Sequence, residues 1–126
     1  MKEERGQDLR ERTKAFALRI VRLYVALPKT TEAQVIGKQV LRSGTSIGAH
    51  YREASRARSD AEFVSKIGIA LQELYETSYW LELLVEAEIV PAGRLDALQQ
   101  ETEELIAIFV TIVKKVKYKE EGRRMK

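Results

Sequence analysis

Residues 43–58 read "SGTSIGAHYREASRAR". Small, uncharged residues lead into His50, the chain's one histidine, and Tyr51 and three arginines follow. Such a stretch is a glycine-rich ligand loop, a catalytic corner or the packed middle of a helix. A phosphate-cradling loop needs a lysine and a strand–turn–helix setting, and "SGTSIGAH" has neither. Ser43 and Ser46 share one segment with His50 and have no evident carboxylate partner, so no serine–histidine–acid arrangement can be argued. The packed helix remains. Ile36, Val40, Ser43, Ile47, His50 and Ala54 are spaced by alternating fours and threes, the seam of a helix facing a common core. Gly44 and Gly48 stand one turn apart inside it. A glycine in a helix interior costs about 1 kcal/mol against alanine, so two imply close approach of a bulky neighbour. Phe63, Tyr75, Tyr79 and Trp80 of the next helix are the expected fillers, and His50 is expected to be hydrogen-bonded in the core.

The same period runs outward in both directions. Leu9, Thr13, Phe16, Ile20, Leu23 and Leu27 repeat it before the stretch. Val64, Ile67, Leu71, Leu74, Ser78, Leu81 and Val85 do so after it, followed by Leu95, Leu98, Thr102, Leu105, Phe109, Ile112 and Val116. The only prolines, Pro28 and Pro91, stand where the period stops, because proline cannot continue a helix interior. Thr30 or Thr31 is placed to cap the second helix, and Ser59 with Glu62 has capping-box spacing. No useful length alternates with period two. The pattern predicts one all-α domain over residues 1–126, an antiparallel up-down-up-down four-helix bundle. Its helices are expected near 7–27, 32–57, 60–89 and 92–118, with a basic tail over 114–126.

Composition narrows the chemistry. Across 126 residues there is no cysteine, which removes disulfides, thiolate metal sites and cysteine nucleophiles. Di-iron bundles need paired Glu-x-x-His units, and one histidine cannot supply two, so neither metal nor cofactor is expected. The longest runs without Asp, Glu, Lys or Arg are nine residues, 43–51 and 105–113, whereas a membrane span needs about 20. With a charged N-terminus unlike a signal peptide, a cytoplasmic location away from membranes is expected.

The net charge of +3 hides an asymmetry. Residues 1–30 carry eight basic and four acidic side chains, 31–58 five and two, 59–90 one and seven, and 91–126 eight and six. Lys38, Arg42, Arg52 and Arg56 fall within an arc of about 80° on the second helix. Arg12, Arg19 and Arg22 make a patch on the first, and the C-terminal tail adds Lys114, Lys115 and Lys117 beside Tyr118. Aligned cations suit a phosphate backbone. They equally suit pairing with the acidic third helix of the same or the next subunit, and both readings stand. A second apolar stripe remains once the core is assigned: Leu18, Val21 and Val25 on the first helix, Ile106, Val110 and Val113 on the fourth, with Trp80 and Leu84 beside them. Monomers rarely expose such surplus, so a homo-oligomer is expected.

Residues 42–84, "RSGTSIGAHYREASRARSDAEFVSKIGIALQELYETSYWLELL", also resemble a known family. "SGTSIGA" with "YREA", then "RSDAEFVSKI" and "ALQELYETSYWL", are similar to the bacterial four-helix bundle proteins encoded in intervening sequences of large-subunit ribosomal RNA genes. These are related to the accessory variability proteins of diversity-generating retroelements. The resemblance implies a four-helix protomer in a ring, typically a pentamer. For the retroelement branch it also implies a basic surface for nucleic acid and a reverse transcriptase partner. For the intervening-sequence branch no activity is established. The family pattern commonly has asparagine where this chain has His50, so the resemblance carries no role to position 50. Together these features predict a non-enzymatic accessory protein that binds structured RNA or DNA. The alternative is a scaffold whose arginines hold the oligomer together.

Overall fold

The computed structural model describes the backbone of residues 2–124, and the side chains of that range apart from residues 2–5 and 7. Four helices follow one another: α1 (Lys2–Ala26), α2 (Thr31–Ser55), α3 (Asp60–Glu86) and α4 (Ala92–Arg124). They form an up-down bundle in which α2 packs closely on both α1 and α3, α3 packs on α4, and α1 approaches α4 least. The segment expected as a tail is helical through Arg124. Met125 and Lys126 lie outside the described residues.

Local chemistry sets the boundaries. Thr30 is the N-cap of α2 and its side chain accepts from the Ala33 amide; Glu32 occupies the first turn, where a carboxylate opposes the helix dipole. Ser59 caps α3 by accepting from the Glu62 amide at 3.1 Å, and the Glu62 carboxylate reaches back to the Arg58 amide. The capping box is thus present, with its return bond one residue before the cap. After α3 the chain turns through Glu88, whose φ of 59° is left-handed, and Pro91 follows to keep the helix from resuming.

The fourth helix buries its seam as spaced: Leu95, Leu98, Thr102, Leu105 and Phe109. On α3 the buried line is Ile67, Ala70, Leu74, Thr77, Leu81 and Leu84, displaced from the expected one, so Ser78 and Val85 sit at its edge. Leu84 belongs to the core and not to a surface stripe. The displacement follows from α2, whose close packing draws the α3 face toward it. The buried threonine and serine hydroxyls of the described residues are satisfied: Thr13 donates to the Leu9 carbonyl, Thr102 to that of Leu98, and Ser43 and Thr77 share a 2.8 Å bond between helices.

The glycines of α2 correct an expectation. They face α1, not the aromatic residues of α3. A Cβ on Gly44 would meet Ile20, one on Gly48 would meet Thr13, and one on Gly37 would meet Leu27 and Tyr24. The small face is the contact surface that lets α1 lie close against α2.

Candidate nucleic-acid interface

The glycine side of α2 is buried against α1, and Val40, Ser43, Ile47 and Ala54 are buried in the core. That leaves the opposite face in solvent. Along it run Lys38, Arg42, Thr45, Ala49, Arg52 and Arg56, again at alternating fours and threes. Lys38, Arg52 and Arg56 are exposed, and among the described residues no carboxylate lies within ion-pair reach of them.

Arg42 differs. Its guanidinium reaches Glu73 at 3.1 Å and Glu76 at 2.9 Å, tying α2 to α3. The hydrogen bonds to Glu76 and Glu73 raise its pKa, so it stays charged at any ordinary pH. Arg12 is committed as well. It holds Glu101 with two 2.7 Å bonds, and Glu104 lies 3.5 Å away. This fork binds α1 to α4, the least closely packed of the neighbouring helix pairs, and its bond to Glu101 raises the arginine's pKa. The remaining expected cations are unpaired among the described residues: Arg19 half-buried, Arg22 exposed, and Lys114, Lys115 and Lys117 exposed on α4.

Two cations out of the expected ten are therefore fold contacts. The other eight do not converge on one face of a protomer. In an up-down bundle Arg52 and Arg56 end α2 at the same end of the molecule as the α4 lysines, while Lys38, Arg19 and Arg22 lie toward the other end. The residues expected at an oligomer interface divide too. Leu18, Val21 and Val25 are exposed, whereas Ile106, Val110 and Val113 are half-buried, and Ile106 and Val113 pack on the protomer's own core.

His50 is neither central nor hydrogen-bonded, contrary to expectation. It is half-buried at the edge of α2, with its Nδ1 3.8 Å from a Glu53 carboxylate oxygen and without a hydrogen-bond partner. Glu53 instead meets Lys66 at 3.3 Å. Tyr51 takes the core position and stacks on Phe109 with ring centroids 5.8 Å apart. The clue to this lay in Gly44 and Gly48: a face that also buries them is centred one residue beyond the expected seam. The partners of Arg12 carried no such clue, since Glu101 lies 89 positions away along the chain.

Among the described residues no group of three or more His, Cys, Asp or Glu is placed to hold a metal ion. No described helix is long and apolar enough to cross a membrane.

The family model described as 23S rRNA-intervening sequence protein matches residues 6–111. The chain is also similar to a crystal structure from Bacteroides thetaiotaomicron, described as a protein with unknown function from the S23 ribosomal protein family. Sequence identity is 40%, the TM-score is 0.81, and the match covers 86% of this chain and 97% of that one. No curated protein matches.

Proposed function

The chain belongs to the 23S rRNA-intervening sequence protein family, and from that membership and its unpaired cations we propose a non-enzymatic protein that assembles with itself and binds the phosphate backbone of structured RNA or DNA, as an accessory to a nucleic-acid enzyme such as a reverse transcriptase. One observation carries this reading: Lys38, Arg52 and Arg56 lie exposed along one face of α2 with no carboxylate partner among the described residues. Cations already spent on internal pairs, as Arg12 and Arg42 are, contribute little to a phosphate contact. Free and aligned ones release counterions on binding and give a steep salt dependence with little base readout.

Self-association rests on the second stripe. At about 100° per residue, Arg12 and Val21 point to opposite sides of α1, and Glu101 and Val110 to opposite sides of α4. Since Arg12 and Glu101 meet each other, the two apolar stripes lie on opposite flanks of the bundle. A protein with different sticky flanks joins head to tail, and such contacts close into rings when the rotation permits. The family resemblance points to five subunits.

A scaffold without nucleic acid is the second reading, favoured by the engagement of Arg42 with Glu73 and Glu76. The two separate in a titration with structured RNA and duplex DNA at low and high salt, beside a Lys38/Arg52/Arg56→Glu variant. Arg42 is left intact so that the α2–α3 tie survives. The binding reading expects wild type to bind with a steep salt slope and the variant to lose binding while keeping its oligomeric mass. No binding by wild type, or dissociation of the variant, would give the function to the scaffold.

A further inference from the structure

The basic charge of the molecule is concentrated in its last fifteen residues. Residues 112–126 carry seven basic and two acidic side chains, against thirteen and fifteen over the matched family region 6–111, which therefore has a net negative charge. Within this segment Tyr118 is 79% exposed, more than any other large apolar side chain among the described residues. Residues one turn earlier on the helix, Lys114 and Lys115, bracket it. Lys117 and Lys119 flank it on either side, and all four are exposed. None of the four makes an ion pair among the described residues. The carboxylates of this segment are Glu121, which is exposed, and Glu120, which meets Arg123.

Two further features suit the ring for contact. A helical side chain leans back over the preceding turn, so residue 122 is the position whose side chain would cover Tyr118. It is glycine, and a Cβ built there meets nothing within 4 Å. The segment is also tied to the bundle, because Arg123 reaches Asp60 at the start of α3 at 3.3 Å. The tyrosine is thus presented on a helix anchored at its far end.

We propose that Tyr118, set among Lys114, Lys115, Lys117 and Lys119, is a stacking platform for an unpaired base of single-stranded nucleic acid, the lysines holding the phosphates on either side. Aromatic faces accept any base, and surrounding cations track the backbone, so the contact is sequence-tolerant and selects strand state. A base inside a duplex has no free face to offer. The inference rests on the nucleic-acid reading above and adds the ligand class: unpaired segments rather than continuous helix.

The test is an anisotropy titration of oligo(U), oligo(dT) and a duplex of equal length with wild type, Tyr118→Ala and Tyr118→Phe, with oligomeric mass read in the same buffer. Loss of the ring is expected to weaken binding of both single strands about tenfold and to leave duplex binding and mass unchanged, with Tyr118→Phe behaving as wild type. Equal affinity of Tyr118→Ala and wild type for single strands would overturn the stacking site and leave the nucleic-acid reading standing. Equal weakening on duplex and single strand, or a fall in mass, would overturn it as well, assigning Tyr118 to general charge presentation or to the assembly. Wild type that binds none of the three probes would remove both readings together.

Discussion

Ile20 of α1 occupies the space that a side chain on Gly44 of α2 would need. A Cβ placed on Gly44 would lie 2.7, 3.0 and 3.1 Å from three carbons of the Ile20 side chain. Ile20 is fully buried and β-branched, so it has neither the room nor the rotamers to withdraw. The helix pays for its glycine in propensity and recovers the cost in packing.

Replacing Gly44 with alanine therefore sets a propensity gain of about 1 kcal/mol against overpacking that costs about 1–3 kcal/mol. The contacts are too close for the gain to win, and a net loss of about 1 kcal/mol is expected in chemical denaturation. Ile20→Val in the same chain should recover part of it. Gly68 is the control, since nothing lies within 4 Å of a Cβ there; Gly68→Ala is expected to stabilise by about 0.5–1 kcal/mol. If both alanines stabilise, the α1–α2 contact is softer than described.

The helices and most of their buried seams were legible because both are local. Period, proline and cap fix where Leu95, Leu98, Leu105 and Phe109 must point whatever they meet. Which helix covers the glycines was not legible, since Ile20 and Trp80 are equally able to fill a gap and only the three-dimensional approach of α1 decides. The basic stripe was legible as a pattern, but not its division into paired and free members. Arg42 differs from Arg52 only in having Glu73 and Glu76 across the groove. Tyr51 was missed in favour of His50 because the expected seam ran one residue to the side of the true centre.

The fork between Arg12 and Glu101 is the most sheltered ion pair among the described residues, with side chains 27% and 16% exposed. A double-mutant cycle through Arg12→Met and Glu101→Gln is expected to give a coupling of about 1–2 kcal/mol, as befits two parallel charge-assisted bonds. The Arg42–Glu76 pair, about half exposed on both sides, is expected to give less than about 1 kcal/mol. Equal couplings would mean that the α1–α4 seam is as wet as the α2–α3 groove.

Burial pushes the Tyr51 phenol above the ordinary tyrosine value. The unfolded chain then ionises this group first, so its contribution to stability is complete below about pH 10 and is lost as pH rises through the folded-state value. Thermal unfolding in the alkaline range should show the wild-type Tm falling more steeply than that of Tyr51→Phe once pH passes about 10. Parallel curves would place the hydroxyl in contact with water.

Val25 is 70% exposed and Leu18 46%, on the flank of α1 turned away from the Arg12–Glu101 tie. Neither supports the protomer's core, so charge can be introduced there without disturbing the fold; surface changes of this kind alter stability by about 0.5 kcal/mol or less. If the stripe joins one copy to the next, Leu18→Lys with Val25→Lys buries two unpaired ammonium groups in each contact, and every interface of a ring suffers alike. Sedimentation is expected to show wild type as a discrete oligomer and the double variant as single chains with unchanged helical content. A wild type that sediments as a single chain at all concentrations would remove the ring. A variant that stays assembled would move the interface away from α1, leaving Ile106, Val110 and Val113 to find a different partner.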